Sequence, residues 1–130
     1  MVTGPAGFPC DQPLTLAGPA GALEAVTSCP KAAAVAATAV ILHPHSLHGG
    51  TLHNKVVTMC ARALNEHGLA TVRFNFRGTG QSEGSFDNGR GEVLDLMAVA
   101  EWAQQANPDA QLWLAGFSFG SRVALKLAGR

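Results

Sequence analysis

The stretch Leu112-Trp113-Leu114-Ala115-Gly116-Phe117-Ser118-Phe119-Gly120 joins a short apolar run to a helical pattern over 121–127. A serine with glycine two positions before and two positions after it fits a sharp turn between a strand and a helix, because only very small residues can pack together there. The serine hydroxyl would then stand at the positive end of a helix dipole. The pattern predicts Ser118 as a nucleophile between the elbow glycines Gly116 and Gly120; a serine that merely caps the helix is the alternative.

The same pattern occurs a second time, in Gly80-Gln81-Ser82-Glu83-Gly84. A strand precedes this copy, but further loop residues, 85–89, follow it where a nucleophile elbow needs a helix. Its polar neighbours Gln81 and Glu83 are typical of a solvated turn. We therefore expect Ser118, and not Ser82, to be the nucleophile.

Elsewhere, apolar runs alternate with helical patterns along the chain. Strands that alternate with helices need crossovers, so the predicted class is α/β, with a mostly parallel sheet and flanking helices. Chemistry in such sheets sits beyond the carboxyl ends of the strands. The expected strands are 13–16, 23–27, 35–42, 69–76 and 112–115, and the expected helices run from the N-cap Asn54 to His67, from about Gly89 to Ala106, and from Ser118 to Gly129.

Each of the first two helices shows an apolar stripe that should face the core. The first stripe is Val56, Cys60 and Leu64, and the second is Val93, Met97 and Ala100.

Composition excludes several functional classes. The 130 residues carry nine Lys+Arg against nine Asp+Glu, so no basic excess is present to hold nucleic acid. The apolar run Ala32 to Leu42 is too short to span a membrane, and no secretory signal is visible. Three cysteines without zinc-ligand spacing predict free thiols, no metal site and a cytoplasmic location.

Four motifs in order resemble small bacterial α/β-hydrolases. They are His43-Pro44-His45-Ser46-Leu47-His48-Gly49-Gly50 continuing through Asn54-Lys55-Val56-Val57, then 74–84, then Phe86-Asp87 with Gly91-Glu92, and finally 116–120. The resemblance covers about residues 12–130, after an irregular lead-in at 1–11. It implies an α/β-hydrolase fold and a serine hydrolase of carboxylesterase or acyl-hydrolase type that acts on a small-molecule ester, without cofactor or metal.

The resemblance also implies the roles of individual residues. Ser118 would be the nucleophile, and the backbone amide of Phe119 would be one oxyanion donor. The second donor would be the backbone amide of His45 or of Ser46. In the family, Asp or Glu and then His follow the nucleophile, but residues 119–130 contain none of these. The chain is therefore expected to be the N-terminal part of the domain, with the acid and the histidine beyond Arg130.

Two alternatives to this reading stay open. The chain could be a non-catalytic truncated homologue that acts by association, through the unpaired edge of its last strand. Alternatively, His45 or His48 of one copy could serve Ser118 of another. The remaining polar residues are interpreted as structural. His43, His45, His48 and His53 are interpreted as loop and cap residues that shape the oxyanion loop, with a replacement base for Ser118 among them as the alternative. Glu92 and Asp95 are interpreted as solvated helix residues or loop anchors, and Arg73 and Arg77 as ion-pair partners of Asp87 or Glu92.

Overall fold

The computed structural model describes residues 7–31 and 35–130, so residues 1–6 of the predicted lead-in and 32–34 lie outside it. Five strands and three α-helices follow one another along these residues. In chain order they are β1 (Pro13–Gly18), β2 (Gly21–Ser28), β3 (Ala37–Leu42), α1 (Lys55–Glu66), β4 (Leu69–Phe74), α2 (Arg90–Ala106), β5 (Gln111–Gly116) and α3 (Phe119–Ala128), with a short 3₁₀ helix at Ser46–His48.

The five strands form one sheet in the order β1-β2-β4-β3-β5. The strand β3 runs parallel to both β4 and β5, whereas the hairpin β1–β2 joins β4 antiparallel. The predicted α/β class is confirmed, but the sheet is mixed, because the hairpin adds two antiparallel pairs. The strand β5 lies at one edge, as expected for the last strand.

Helices cover both faces of the sheet. Alternate side chains of a strand point to opposite faces of the sheet. Since both faces are covered, all six residues of β3 are buried. Val40 and Leu42 face α2 and α3, whereas Ile41 packs against α1. This packing fixes the ends of the helices relative to the carboxyl end of β3.

The two predicted apolar stripes are partly wrong. In α1 the buried residues are Val57 and Ala61, while Val56 is exposed. A shift of one residue turns a helical side chain by about 100°, enough to exchange a buried position for an exposed one. In α2, Val93 and Ala100 are buried as predicted, whereas Met97 is exposed.

A disulfide joins Cys10 to Cys29, so the expectation of three free thiols is wrong. Cys10 lies in a segment that packs into the molecule: Phe8 is fully buried, and its ring centroid lies 5.6 Å from that of Trp102. That packing holds Cys10 beside the end of β2. Cys60 is free. The prediction of a cytoplasmic location rested on three free thiols, so the disulfide removes the basis of that prediction.

Candidate active site

Ser118 occupies the turn between β5 and α3. Its backbone has φ 55° and ψ −114°, a region that residues with a Cβ rarely adopt and that is typical of strained functional turns. Its side chain is exposed and makes no capping hydrogen bond to α3. The arrangement therefore matches the predicted strand–turn–helix and not the alternative of a plain N-cap.

The two elbow glycines are required by close backbone packing. A Cβ on Gly116 would stand 2.6 Å from the carbonyl oxygen of Gly120, and one on Gly120 would stand 2.5 Å from that of Leu42. Neither glycine has a positive φ, so space and not backbone conformation excludes larger residues. The second contact ties α3 directly to the end of β3.

The loop after β3 lies beside Ser118 because β3 and β5 are parallel neighbours. Leu42 pairs with Gly116, and the Phe117 amide donates to the Leu42 carbonyl at 3.2 Å. The chain therefore leaves both strands at the same edge of the sheet. Farther along, the ring centroids of His45 and Phe119 lie 5.3 Å apart.

Several backbone amides near this edge have no protein acceptor in the described part of the chain, and three of them belong to the candidate oxyanion donors. Within residues 7–31 and 35–130, the N–H groups of His45, Ser46 and Phe119 donate to no protein acceptor. Backbone amides are normally paired, and free amides next to a nucleophile can stabilise a developing oxyanion. These are the amides of the residues that the sequence proposed as oxyanion donors.

His43 is the first residue of the loop after β3, as predicted, and it is almost wholly buried. Its Nδ1 lies 2.6 Å from the carbonyl oxygen of Pro44, and its Nε2 accepts the amide of Phe76 at 3.1 Å. Burial lowers the pKa of His43 below its ordinary value; the hydrogen bond to Pro44 partly opposes this effect, and the charge interaction with His45 lowers the pKa further. The ring bridges the end of β3 to the chain after β4, and its acceptor role toward Phe76 requires a neutral imidazole.

An aromatic cluster of His45, His48, Phe86 and Phe119 lies next to the β5–α3 turn. The ring centroid of His45 lies 4.6 Å from that of Phe86 and 5.4 Å from that of His48. Phe86 also lies 5.5 Å from Phe119 and is partly exposed. An apolar surface therefore borders Ser118, and the sequence analysis did not identify Phe86 as part of it.

The loop that carries Phe86 is anchored by two buried carboxylates of α2. Arg77 forms an ion pair with Asp95 at 2.8 Å, so the prediction that it pairs with Asp87 or Glu92 is wrong. The pKa of Arg77 is raised by this hydrogen bond. Glu92 accepts the amides of Asp87 and Gly89 at 2.8 and 2.9 Å. Glu92 and Asp95 are fully buried, so of the two predicted roles, loop anchor is right and solvated residue is wrong.

The predicted ion pair of Arg73 is also not formed. The Arg73 Nε donates instead to the carbonyl oxygen of Leu52, at 2.9 Å. This bond ties β4 to the loop that precedes α1. Burial lowers the pKa of Arg73.

Ser82, in the second copy of the pattern, is a structural residue. Its hydroxyl donates to the carbonyl of Asn75 at 2.6 Å and accepts the amide of Glu24 at 2.9 Å. The side chain is buried and belongs to a network that attaches β2 to the loop after β4. This hydroxyl is therefore fully engaged and away from any helix start.

The described residues supply no complete acid–base pair. Within residues 7–31 and 35–130, no histidine is hydrogen-bonded to a carboxylate. The Nδ1 of His45 accepts the amide of Leu47 at 3.0 Å, which uses the nitrogen that an acid would need to orient. Across the same two ranges, no group of three or more His, Cys, Asp or Glu side chains could hold a metal ion. No helix there is long and apolar enough to cross a bilayer.

Residues 39–130 match the family described as alpha/beta hydrolase fold. The chain belongs to this family. It is 53 % identical, with a TM-score of 0.90, to a Xanthomonas campestris protein described as an a/b serine hydrolase without lid, covering 94 % of this chain and 57 % of that one. An alpha-beta serine hydrolase homologue from Coxiella burnetii is 50 % identical with a TM-score of 0.89, covering 93 % of this chain and 58 % of that one.

Curated relatives match a smaller part of their own length. An uncharacterized Rickettsia prowazekii protein is 50 % identical over 93 residues, which are 71 % of this chain and 39 % of that protein. A lysophosphatidylserine lipase of Danio rerio is 33 % identical over 91 residues, 70 % of this chain and 23 % of that protein. The chain thus spans less than two thirds of the length of these solved structures and less than half of the length of the curated relatives.

Proposed function

We propose that the chain carries the nucleophile and the oxyanion donors of a serine hydrolase of carboxylesterase or acyl-hydrolase type, acting on a small-molecule ester. The observation that carries the proposal is the strained, exposed Ser118 at the start of α3, beside unpartnered backbone amides. The related serine hydrolases and the lipase among the relatives support the same reaction class.

In the proposed reaction, a histidine base takes the proton of the Ser118 hydroxyl while Oγ attacks the carbonyl carbon of the ester. The negative charge moves to the carbonyl oxygen, which the amide of Phe119 and that of His45 or Ser46 stabilise. Collapse breaks the ester bond, and the alcohol leaves with the proton from the histidine. Water then releases the acid from acyl-Ser118 by the same steps. The histidine and its acid partner come from outside these 130 residues.

A fluorophosphonate probe tests the proposal, because it reacts rapidly only with a serine that a base has activated. Intact mass is measured for this chain, and for the same chain extended with the residues that complete the fold of the Xanthomonas campestris relative. We expect a single adduct in the extended chain, lost in Ser118→Ala and kept in the matched control Ser82→Ala. Absence of an adduct in a folded extended chain would overturn the proposal.

A second function, association without catalysis, is favoured by the open edge of the sheet. Within residues 7–31 and 35–130, β5 pairs with β3 alone. Trp113 on β5 is about half exposed, and Leu125 on α3 is largely exposed. Sedimentation at increasing concentration tests this. Oligomers without labelling would support association alone. Labelling of the 130-residue chain that rises with its concentration would indicate that His45 or His48 of another copy serves Ser118.

A further inference from the structure

The protonation state of the buried His43 ring follows from its two partners. A carbonyl oxygen can only accept a hydrogen bond, so the Nδ1 that faces Pro44 must carry the hydrogen. The amide of Phe76 can only donate, so Nε2 must be bare. His43 is therefore a neutral imidazole that donates a hydrogen bond to a carbonyl on one side and accepts one from an amide on the other.

The hydrogen bond from His43 to the Pro44 carbonyl sets the direction of the His45 amide. The peptide bond from Pro44 to His45 is planar and trans, since the described residues contain no cis peptide, and in a trans peptide the C=O and N–H point in opposite directions. Gly50 packs closely against the same carbonyl, and a Cβ at position 50 would overlap the Pro44 oxygen. The His43 ring contacts Phe76, which follows β4, and β4 and β5 lie on opposite sides of β3. With its carbonyl held toward His43, the peptide therefore presents the His45 N–H on the side of β5.

We infer that His43 is a positioning residue that turns the His45 amide toward the β5–α3 turn, which makes His45, and not Ser46, the second oxyanion donor. The inference rests on the proposed function. The role of His43 in this inference is indirect. Its ring forms no hydrogen bond to Ser118 or to any residue of α3, and it acts through the Pro44 carbonyl. The inference also explains why the loop needs glycine at position 50.

Two matched variants separate positioning from simple structural support. In His43→Asn the side-chain amide nitrogen stands near the former Nδ1 and can still donate to Pro44. In His43→Gln the side-chain oxygen reaches the former Nε2 position and can still accept the amide of Phe76. Each variant loses one hydrogen bond, but only the glutamine releases the Pro44 carbonyl.

The first readout is nitrogen-15 NMR of this chain. We expect the wild-type His43 ring to show a protonated Nδ1 and a bare Nε2. We expect the His45 amide resonance to keep its position in His43→Asn and to move in His43→Gln. A hydrogen on Nε2, or an unmoved His45 amide in the glutamine variant, would overturn the inference.

The second readout is the rate of fluorophosphonate labelling in the extended chain. His43→Gln should slow labelling of Ser118 by about 10²- to 10³-fold, as expected for a lost oxyanion donor, and His43→Asn should largely retain the rate. Equal losses in both variants would contradict the positioning role. An unlabelled wild-type chain with the expected NMR pattern would overturn the proposed function and still support the positioning of the His45 amide.

Discussion

The Cα of Gly120 packs against the carbonyl oxygen of Leu42, so closely that a Cβ would stand 2.5 Å from that oxygen. Gly120 lies in the first turn of α3, and Leu42 is the last residue of β3. The contact therefore sets the distance between the helix that begins after Ser118 and the loop that carries the candidate oxyanion amides. Any side chain at position 120 would push these two segments apart.

Gly120→Ala is expected to lower the free energy of unfolding by about 1–3 kcal/mol, the usual cost of overpacking a tight site. It should also abolish labelling of Ser118 in the extended chain. Urea unfolding followed by circular dichroism measures the first effect. Gly129→Ala is the matched control, because its Cβ would meet only the Leu125 carbonyl, at 3.4 Å. Equal stability of the two variants would contradict the packing argument.

Ser118→Gly is expected to be more stable than Ser118→Ala. A strained residue with positive φ costs about 1–3 kcal/mol, and glycine relieves this strain, although it loses about 0.5–1 kcal/mol through its greater freedom in the unfolded chain. The net difference should be about 1 kcal/mol in the free energy of unfolding, measured in urea. A glycine variant less stable than the alanine variant would show that φ 55° at this position is not strained.

The stability of the chain should fall as the solution becomes more acidic, through His43. Its folded pKa lies below the ordinary value of 6.5 because of burial, so the unfolded chain binds the proton more readily. The stabilisation is full above pH about 6.5 and is lost as the pH falls through the folded pKa. Unfolding free energies measured from pH 7.5 downward should fall less steeply in His43→Gln. The exposed His67→Gln is the control, and an unchanged slope in His43→Gln would contradict this origin.

Asp95→Asn is expected to destabilise the chain by about 3–5 kcal/mol, because it leaves the Arg77 guanidinium without its buried partner. The two side chains are only 12 % and 0 % exposed, so solvent screens the pair weakly. Thermal or urea unfolding measures the loss. Glu101→Gln removes a carboxylate from the exposed side of the same helix and should have little effect. Similar losses in both variants would mean that the ion pair contributes nothing specific.

Thiol titration should find one reactive cysteine per folded chain before reduction and three after reduction and unfolding. The thiol that reacts before reduction is that of Cys60. It should react slowly at neutral pH, because burial raises its pKa and thus lowers the thiolate fraction. Cys60→Ser is the control that should remove the early reaction. Three thiols before reduction would contradict the Cys10–Cys29 bond.

The features that the sequence predicts well are local. The strand, the turn and the helix around Ser118 follow one another within 20 residues, and glycine spacing reports directly on the close packing of that turn. The order of strands and helices is visible for the same reason, since each element carries its own hydrophobic period. The class of fold and the position of the turn therefore follow from short stretches of sequence.

The features that the sequence misses depend on distant parts of the chain. Asp95 resembles an ordinary exposed helix carboxylate until the loop from Arg77 folds over it. The partner of Cys10 is invisible because spacing alone does not specify which cysteines pair. Phe86 gives no local signal of its contact with His45, since that contact forms only when two loops meet.

The bond between Cys10 and Cys29 closes the whole of β1 and β2 into a covalent ring. A protease that cut the exposed tip of the hairpin, between Gly18 and Gly21, would therefore leave two pieces that migrate as one molecule until a reductant is added. The first strand of the sheet would stay attached to its neighbour even without an intact backbone. In this part of the molecule, the sheet can therefore keep all of its strands after the backbone has been cut.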